Sequence, residues 1–111
     1  MRKDDRVFLG HIQREITLLN RYSSEITFDN LIENPLIQHF VQKAMENIGE
    51  AIKQISDGTK SRCPSIEWED LRKMRNRLTH EYFSIDWDYV WDVLTTVIPR
   101  LNKCVGKLLE E

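Results

Sequence analysis

The chain has 111 residues, of which 16 are basic and 18 acidic, for a net charge of −2. Hydrophobic residues make up 41% and charged residues 31%, which argues against a disordered tail, a membrane protein and a generally basic nucleic-acid binder. The length predicts a single domain, residues 1–111, that is large enough to bury a core.

The spacing of the cysteines and the composition of the N-terminus bear on the cellular compartment of the protein. Cys63 and Cys104 lie outside any C-x-x-C motif and have no nearby histidine pair, so we expect two reduced thiols rather than a disulfide scaffold or a zinc site. No apolar run approaches the roughly 20 residues of a spanning helix. The charged N-terminus is not followed by the apolar core of a signal peptide. The sequence therefore predicts a soluble cytoplasmic protein.

The first half of the chain predicts two long helices. Four glycines and three prolines are few for this length, and few breakers favour helix. The first helix is predicted from about Asp4 to Tyr22, and Thr27 or Asp29 is expected to cap a short turn after it. The next opens at Asn34-Pro35 and has the widest apolar face, so we expect it to be central. Gly58 is expected to cap its C-terminal end.

The second half predicts two more helices. One is expected from near Glu67 towards Leu78, and the other after Ser84 or Asp86, with a kink at Pro99. No strand pattern competes with these helices. The predicted fold is therefore all-α, an antiparallel bundle of four or five helices.

One arginine interrupts the apolar face of the fourth helix. Arg75 falls between Trp68 and Leu71 on that face, where an arginine is costly unless it is paired or borders a polar cavity. His80 follows five residues later, and five residues rotate a straight helix by about 140°. Arg75 and His80 can therefore share a site if the helix ends near Leu78 or Thr79, or if the two groups come from different protomers.

The run Arg75–Phe83 carries a motif, R-x-x-x-x-H-x-Y, formed by Arg75, His80 and Tyr82. It resembles the signature of HepT-like toxins in the HEPN superfamily. The segment Asn47–Ala51 is similar to the I-G-E-A segment of that family. Further similar positions are Pro64, Trp68, Ile85-Asp86, Trp91 and Pro99–Leu101. Two positions depart from the family pattern: Lys43, where an arginine is common, and Lys73, where many relatives have glycine. Neither touches the implied site, but Lys73 adds charge at its rim and could alter substrate preference.

The resemblance implies an antiparallel helical homodimer whose motif lines a cleft near the two-fold axis. It further implies a metal-independent endoribonuclease, the toxin of a toxin–antitoxin pair, with Arg75 and His80 as the catalytic pair and Asn76 as a supporting polar residue. The implied antitoxin is a nucleotidyltransferase, called MntA, that silences the toxin by adding AMP to Tyr82. No cofactor and no membrane are implied. The assembly with the antitoxin would be a larger hetero-oligomer.

These residue types suit RNA cleavage without a metal. Cleavage by the 2′-hydroxyl of RNA needs a base, an acid and positive charge on the phosphoryl oxygens. Histidine, with an ordinary pKa of about 6.5, can serve as base or acid, and arginine offers a bidentate fork for phosphate. His11 and His39 are predicted on distant helices. A two-fold cleft would bring two copies of His80 together, one as base and one as acid.

Each motif residue also has a structural interpretation. Arg75 could form a buried ion pair, with Glu50 as a candidate partner, and His80 could be a histidine stabilised by a helix terminus. Tyr82 could be a core aromatic residue with a hydrogen-bonded hydroxyl. Two other classes follow from these interpretations: a non-catalytic HEPN-type module that binds nucleotide or a nucleotidyltransferase, and a structural dimer.

The net charge of −2 hides a segregated pattern. The segment 60–80 contains six basic and three acidic residues, a local charge of +3, so the rest of the chain carries −5. This pattern is compatible with one concentrated basic cleft on an otherwise acidic bundle.

Overall fold

All regular structure in the chain is helical, which confirms the predicted all-α class. The predicted number of four or five helices is too low, because the chain has seven α-helices, of which three have six residues or fewer. The computed structural model describes the whole chain, Met1–Glu111. The α-helices are α1 (Lys3–Arg21), α2 (Phe28–Glu33), α3 (Pro35–Gln54), α4 (Asp57–Lys60), α5 (Trp68–His80), α6 (Trp87–Asp92) and α7 (Ile98–Leu109). A 3₁₀ turn, Tyr82–Ser84, precedes α6, and a π-helical turn, Val93–Val97, joins α6 to α7.

Helix α3 lies at the centre, between α1 on one side and α5 on the other, as its wide apolar face predicts. The Asn47 amide donates to Glu15 of α1, and the Gln42 amide donates to the carbonyl of Leu78 in α5. Helix α7 packs along the other side of α1, where Arg6 donates to the carbonyl of Leu109. Neighbouring long helices are antiparallel. The start of α1 meets the end of α7 through Arg6 and the segment after α3 through Asp5. Gln42 of α3 meets Leu78 whereas the later Gly49 meets the earlier Arg75.

Capping side chains mark the starts of α2, α3, α4 and α6. Thr27 accepts from the backbone N–H of Asn30 at 3.1 Å, and Asn34 accepts from that of Leu36 at 2.9 Å. These two starts are as predicted. The prediction for Gly58 is wrong: α3 ends at Gln54, Gly58 lies inside α4, and no glycine has a positive φ. A new helix capped by Ser56 begins there, so no left-handed residue is required.

The last helical segment is interrupted where Pro99 was expected to disturb it. Pro99 is the second residue of α7, and its ring nitrogen has no proton to donate to the preceding turn. The backbone forms a π-helical turn immediately before α7, which accommodates the missing hydrogen bond. Trp87 and Trp91 are half-buried and pack against the core.

Cys63 and Cys104 form a disulfide bond, which corrects the prediction of two free thiols. Cys63 lies in the linker after α4, and Cys104 faces inward from α7. Their Cα atoms are 6.2 Å apart, within the range a disulfide can span. They are 41 positions apart in the sequence, and their proximity arises only when the linker folds back along α7.

Asp5 joins the start of α1 to the start of α4. Its side chain is 1% exposed and accepts hydrogen bonds from the Ser56 backbone, the Ser56 hydroxyl and the Thr59 hydroxyl at 2.6–3.0 Å. Burial by itself would raise the pKa of the Asp5 carboxyl, but these hydrogen bonds hold that pKa below its ordinary value. The buried carboxylate therefore ties the two helix ends together in its charged form.

A hydrophobic core of 25 buried residues joins the long helices. It includes Leu71, Met74 and Leu78 of α5, a helix whose main neighbour is α3. Their burial fixes the rotation of α5 about its axis, and this rotation determines where the motif residues point. None of the helices combines the length and hydropathy needed to cross a bilayer.

Candidate active site on helix α5

Helix α5 is held at both ends by hydrogen bonds to neighbouring segments. At its start, the Trp68 indole N–H donates to the carbonyls of Lys60 and Cys63. Near its end, the Gln42 amide reaches from α3 to the otherwise unpaired carbonyl of Leu78 at 3.1 Å. The helix is therefore anchored to the bundle at its first residue and within the motif at Leu78.

Arg75 is paired, as its position on the apolar face requires. Its Nη2 atom lies 3.1 Å from Oε2 of Glu50 on α3, and its Nη1 atom donates to the Asn76 side-chain oxygen at 3.1 Å. The Arg75 side chain is 26% exposed and that of Glu50 46%. The Glu50 Oε2 atom is itself buried and has no hydrogen-bond donor, so the ion pair is its only polar contact. Two contacts leave most of the five guanidinium N–H groups available for another anion.

Gly49 determines how closely α5 approaches α3 at Arg75. A Cβ atom at Gly49 would lie 2.3 Å from Cβ and 2.8 Å from Cγ of Arg75. Only a residue without a side chain fits, because both helices would have to separate otherwise. The segment Asn47–Ala51 thus supplies both the gap for Arg75 and, at Glu50, its counter-ion. The sequence contained this signal as the I-G-E-A segment, but its packing role depends on the pairing of helices.

His80 is the last residue of α5, is exposed, and makes no side-chain hydrogen bond. Because the helix continues past Leu78 and Thr79, the first of the two arrangements predicted for a shared site is not found. Within one chain, Arg75 and His80 point to different sides of the same helix, about 140° apart. Asn76 lies one turn before His80 and on the same side. The structure therefore brings Arg75 and Asn76 into contact but not Arg75 and His80.

Tyr82 follows α5 on the 3₁₀ turn and is 69% exposed, and its hydroxyl makes no hydrogen bond. Phe83 beside it is 79% exposed, and the two rings meet edge to face at 5.9 Å. The interpretation of Tyr82 as a core aromatic residue with a bonded hydroxyl is therefore wrong. The short turn after α5 directs both rings into solvent.

The other titratable side chains do not complete the site within one chain. His11 lies on α1, edge-on to Phe8, and His39 is exposed on α3. His11 lines a cavity of ≈ 220 Å³ between α1 and α3 that also contains Glu50. No group of three or more histidine, cysteine, aspartate or glutamate side chains is arranged to hold a metal ion.

Comparison with known proteins places this helical architecture in a family. Residues 12–108 match the model of a family described as "Ribonuclease HepT-like". The chain belongs to the Ribonuclease HepT-like family. The resemblance drawn from the R-x-x-x-x-H-x-Y motif is thereby confirmed. No solved structure gives a significant match to this HepT-like chain.

Relatives of this HepT-like chain carry ribonuclease names. It is 33% identical over its whole length to "Gamma-glutamylcyclotransferase and putative RNase MJ0434" of Methanocaldococcus jannaschii, and it spans only 50% of that protein. It is 32% identical to "Probable ribonuclease HepT" of Thermococcus cleftensis, over 97% of this chain and 98% of the relative. It is 28% identical to "Putative RNase TTE0752" of Caldanaerobacter subterraneus, over 98% and 97% of the two chains.

Proposed function

We propose that this HepT-like chain is a metal-independent endoribonuclease and the toxin of a toxin–antitoxin pair. Arg75 and His80 are the proposed catalytic pair, with Asn76 as the support of Arg75. The observation that carries the proposal is the contrast between them: Arg75 is held in place by Glu50 and Asn76, whereas His80 is exposed and uncommitted. Phosphoryl transfer requires both a fixed cation for the phosphoryl oxygens and a histidine that is free to carry a proton. One chain supplies both groups on different sides of α5.

The proposed reaction uses the RNA's own nucleophile. A histidine removes the proton from a 2′-hydroxyl, whose oxygen attacks the adjacent phosphorus, and the bond from phosphorus to the 5′-oxygen breaks. A second histidine, in its protonated form, gives its proton to that leaving oxygen. The products are a 2′,3′-cyclic phosphate and a 5′-hydroxyl. Arg75 compensates the negative charge that grows on the non-bridging oxygens.

The orientation of α5 supports a site shared between two copies of the chain. Arg75 and His80 point apart on one helix, and a single copy supplies only one histidine near the motif. A homodimer with α5 near its two-fold axis would provide both a base and an acid from two His80 side chains. It would also place His80 of each protomer within reach of a phosphate bound by Arg75 of the other.

Tyr82 is the proposed switch. Its exposed hydroxyl can attack the α-phosphorus of ATP in the active site of an MntA-like nucleotidyltransferase, and pyrophosphate leaves. The AMP group then carries an anionic phosphodiester two residues from His80. That charge competes with RNA phosphate for Arg75, and the adenosine fills the cleft. The proposed toxin and its antitoxin act in the cytoplasm. The toxin is a homodimer, alone or within a larger hetero-oligomer with the antitoxin.

Expression in growing cells tests the toxin. Wild-type protein should arrest growth, and Arg75→Ala or His80→Ala should restore it. His39→Ala is the matched control, because this histidine is exposed on α3, away from the motif, and its loss should leave toxicity intact. Arrest by His80→Ala at the wild-type level would refute the proposed role of His80.

Intact mass tests the switch. The protein, incubated with the nucleotidyltransferase and ATP, should gain one AMP group and lose its cleavage of total RNA. Tyr82→Phe should gain no mass and stay active in the same mixture, whereas Tyr22→Phe, also at an exposed tyrosine, should behave as wild type. An unmodified but silenced wild-type protein would show that the antitoxin acts by complex formation instead.

One observation favours a second candidate, a non-catalytic module that binds nucleotide or a nucleotidyltransferase. The Glu50–Arg75 pair neutralises the arginine, as a purely structural pair would. This alternative predicts a protein that binds its partner but neither arrests growth nor cuts RNA.

A further inference from the structure

A groove with two uncommitted cations runs beside the motif, between α5 and α6. Its cavity of ≈ 340 Å³ is lined by Asp70, Lys73, Met74, Asn76, Arg77 and Tyr89. A second cavity of ≈ 190 Å³ continues from it towards the 3₁₀ turn and shares Met74, Arg77 and Tyr89 with the first. We name the first cavity the α5–α6 groove.

The groove lies on the same side of α5 as His80. Lys73, Asn76, Arg77 and His80 follow one another at spacings of three, one and three residues. At about 100° per residue, these spacings place all four within one side of the helix. All four are exposed. A ligand in the groove would therefore extend along α5 directly to His80.

The charges in the groove favour an anion. Lys73 and Arg77 form no ion pair, whereas Arg72 is paired with Glu69 and Arg75 with Glu50. Asp70 is the one carboxylate in the lining, so two cations face one anion. The second cavity reverses this balance, because Glu81 and Asp86 accompany Arg77 there. Binding of phosphate is thus favoured in the α5–α6 groove and disfavoured beyond it.

Tyr89 supplies an aromatic surface between the two cavities. Its side chain is 41% exposed and its hydroxyl makes no hydrogen bond, while its backbone N–H is fixed by the cap at Asp86. An exposed ring next to uncommitted cations is the combination that single-stranded nucleic acids use, because bases stack on the ring and phosphates bind the cations.

We propose that the α5–α6 groove binds the single-stranded RNA that flanks the cleaved bond, with Lys73 and Arg77 on phosphates and Tyr89 stacked on an unpaired base. This proposal rests on the proposed ribonuclease function and names the residues that hold its substrate. It assigns Lys73 and Arg77 a different role from Arg75, since they bind the strand and Arg75 contacts the reacting phosphate.

Binding, measured without cleavage, tests the groove. A His80→Ala protein is titrated into a labelled single-stranded RNA of about ten nucleotides, and fluorescence anisotropy is recorded at several salt concentrations. Adding Tyr89→Ala should weaken binding on the order of 5- to 150-fold and leave the salt dependence unchanged. Adding Lys73→Gln or Arg77→Gln should weaken binding and lower the slope of log K against log salt by about 0.7 each.

Matched controls separate the groove from general effects. Tyr89→Phe keeps the ring and should bind as the parent does, and Lys107→Gln, an exposed lysine on α7, should change neither affinity nor slope beyond a small shift. A duplex RNA of the same length should bind more weakly, because its bases are not free to stack.

Two results would overturn the proposal: absence of RNA binding by the His80→Ala protein, or equal affinity of Tyr89→Ala and Lys107→Gln. Failure of the proposed function gives a different pattern. If the wild type cuts no RNA but Tyr89 and Lys73 still determine binding, the groove is confirmed and the chain is a binding module. If the wild type cuts RNA and the groove variants bind as the parent does, the function holds and the groove is wrong.

Discussion

At the scale of single residues, Gly49 and Arg75 determine how the motif is presented. The absence of a side chain at Gly49 lets the Arg75 stem lie against α3, and Glu50 then meets the guanidinium. An arginine that carries its counter-ion from a neighbouring helix has little freedom to reorient. The proposed binding of an RNA phosphate to Arg75 would therefore avoid the entropy cost of ordering a long side chain.

Gly49→Ala should destabilise the protein by about 1–3 kcal/mol, because its Cβ would lie 2.3 Å from that of Arg75 and the helices would have to separate. Thermal unfolding measures the loss. Gly10→Ala is the control, since a Cβ at Gly10 in α1 meets nothing within 4 Å and alanine favours helix by about 0.5–1 kcal/mol. Equal Tm values for the two variants would contradict the close-packing account.

Asp5 gives a prediction about pH. Because hydrogen bonds lower its pKa in the folded state, Asp5 stabilises the protein above the ordinary aspartate pKa of about 3.9. That contribution disappears as the pH falls through the lowered value. Asp5→Asn should therefore cost on the order of 1–3 kcal/mol at neutral pH, and its unfolding free energy should fall less steeply below about pH 4.

Denaturant unfolding across this pH range checks the role of Asp5. Asp4→Asn is the matched control, because Asp4 is exposed and makes no hydrogen bond. An Asp5→Asn profile that runs parallel to the wild type at all pH values would show that the carboxylate charge contributes nothing.

At the scale of the elements, the disulfide fastens the linker after α4 to α7. It closes a loop of 41 positions, for which the chain-entropy model gives about 4 kcal/mol of stabilisation. The double variant Cys63→Ser/Cys104→Ser should thus have a clearly lower Tm than the oxidised wild type. Dithiothreitol should lower the Tm of the wild type towards that of the variant and leave the variant unchanged. Two alkylatable thiols in the unreduced wild type would contradict the bond.

Local sequence signals were sufficient for most elements and failed where distant segments meet. Thr27 and Asn34 cap their helices through hydrogen bonds two or three residues away, so the sequence contains the whole interaction. The start of α4 was missed because its cap, Ser56, and its residue Thr59 are both held by Asp5, 51 and 54 positions earlier in the chain. The pairing of Cys63 with Cys104 was missed for the same reason.

At the scale of the whole molecule, the unpaired basic charge of the segment 60–80 includes two residues on the exposed side of α5. Of the basic residues in the segment 60–80, Arg62, Arg72 and Arg75 are paired with carboxylates. Lys73 and Arg77 have no such partner and lie on the exposed side of α5. The sequence could locate this basic segment and the motif. It could not show where α5 ends, because the end depends on contacts outside the helix, and so it left open whether Arg75 and His80 meet within one chain.

A shared site predicts how mixed dimers behave. Wild-type and His80→Ala subunits, carrying different tags, are coexpressed and the mixed species is purified. If one His80 acts as base and the other as acid, the mixed dimer should lose nearly all RNA cleavage. A mixed dimer with one His39→Ala subunit should keep full activity. Full activity in the His80 mixture would show that each protomer works alone.

The chemistry of the cut bond tests the central claim, that Arg75 and His80 cleave RNA through its own 2′-hydroxyl. Purified protein is incubated with a short RNA in a metal chelator, and the product ends are determined by mass spectrometry. Wild type should yield a 2′,3′-cyclic phosphate and a 5′-hydroxyl, and His80→Ala should yield neither. The same RNA with a single 2′-deoxy sugar at the cut position should stay intact with the wild type. Cleavage of that modified RNA, or loss of wild-type activity in the chelator, would contradict the account.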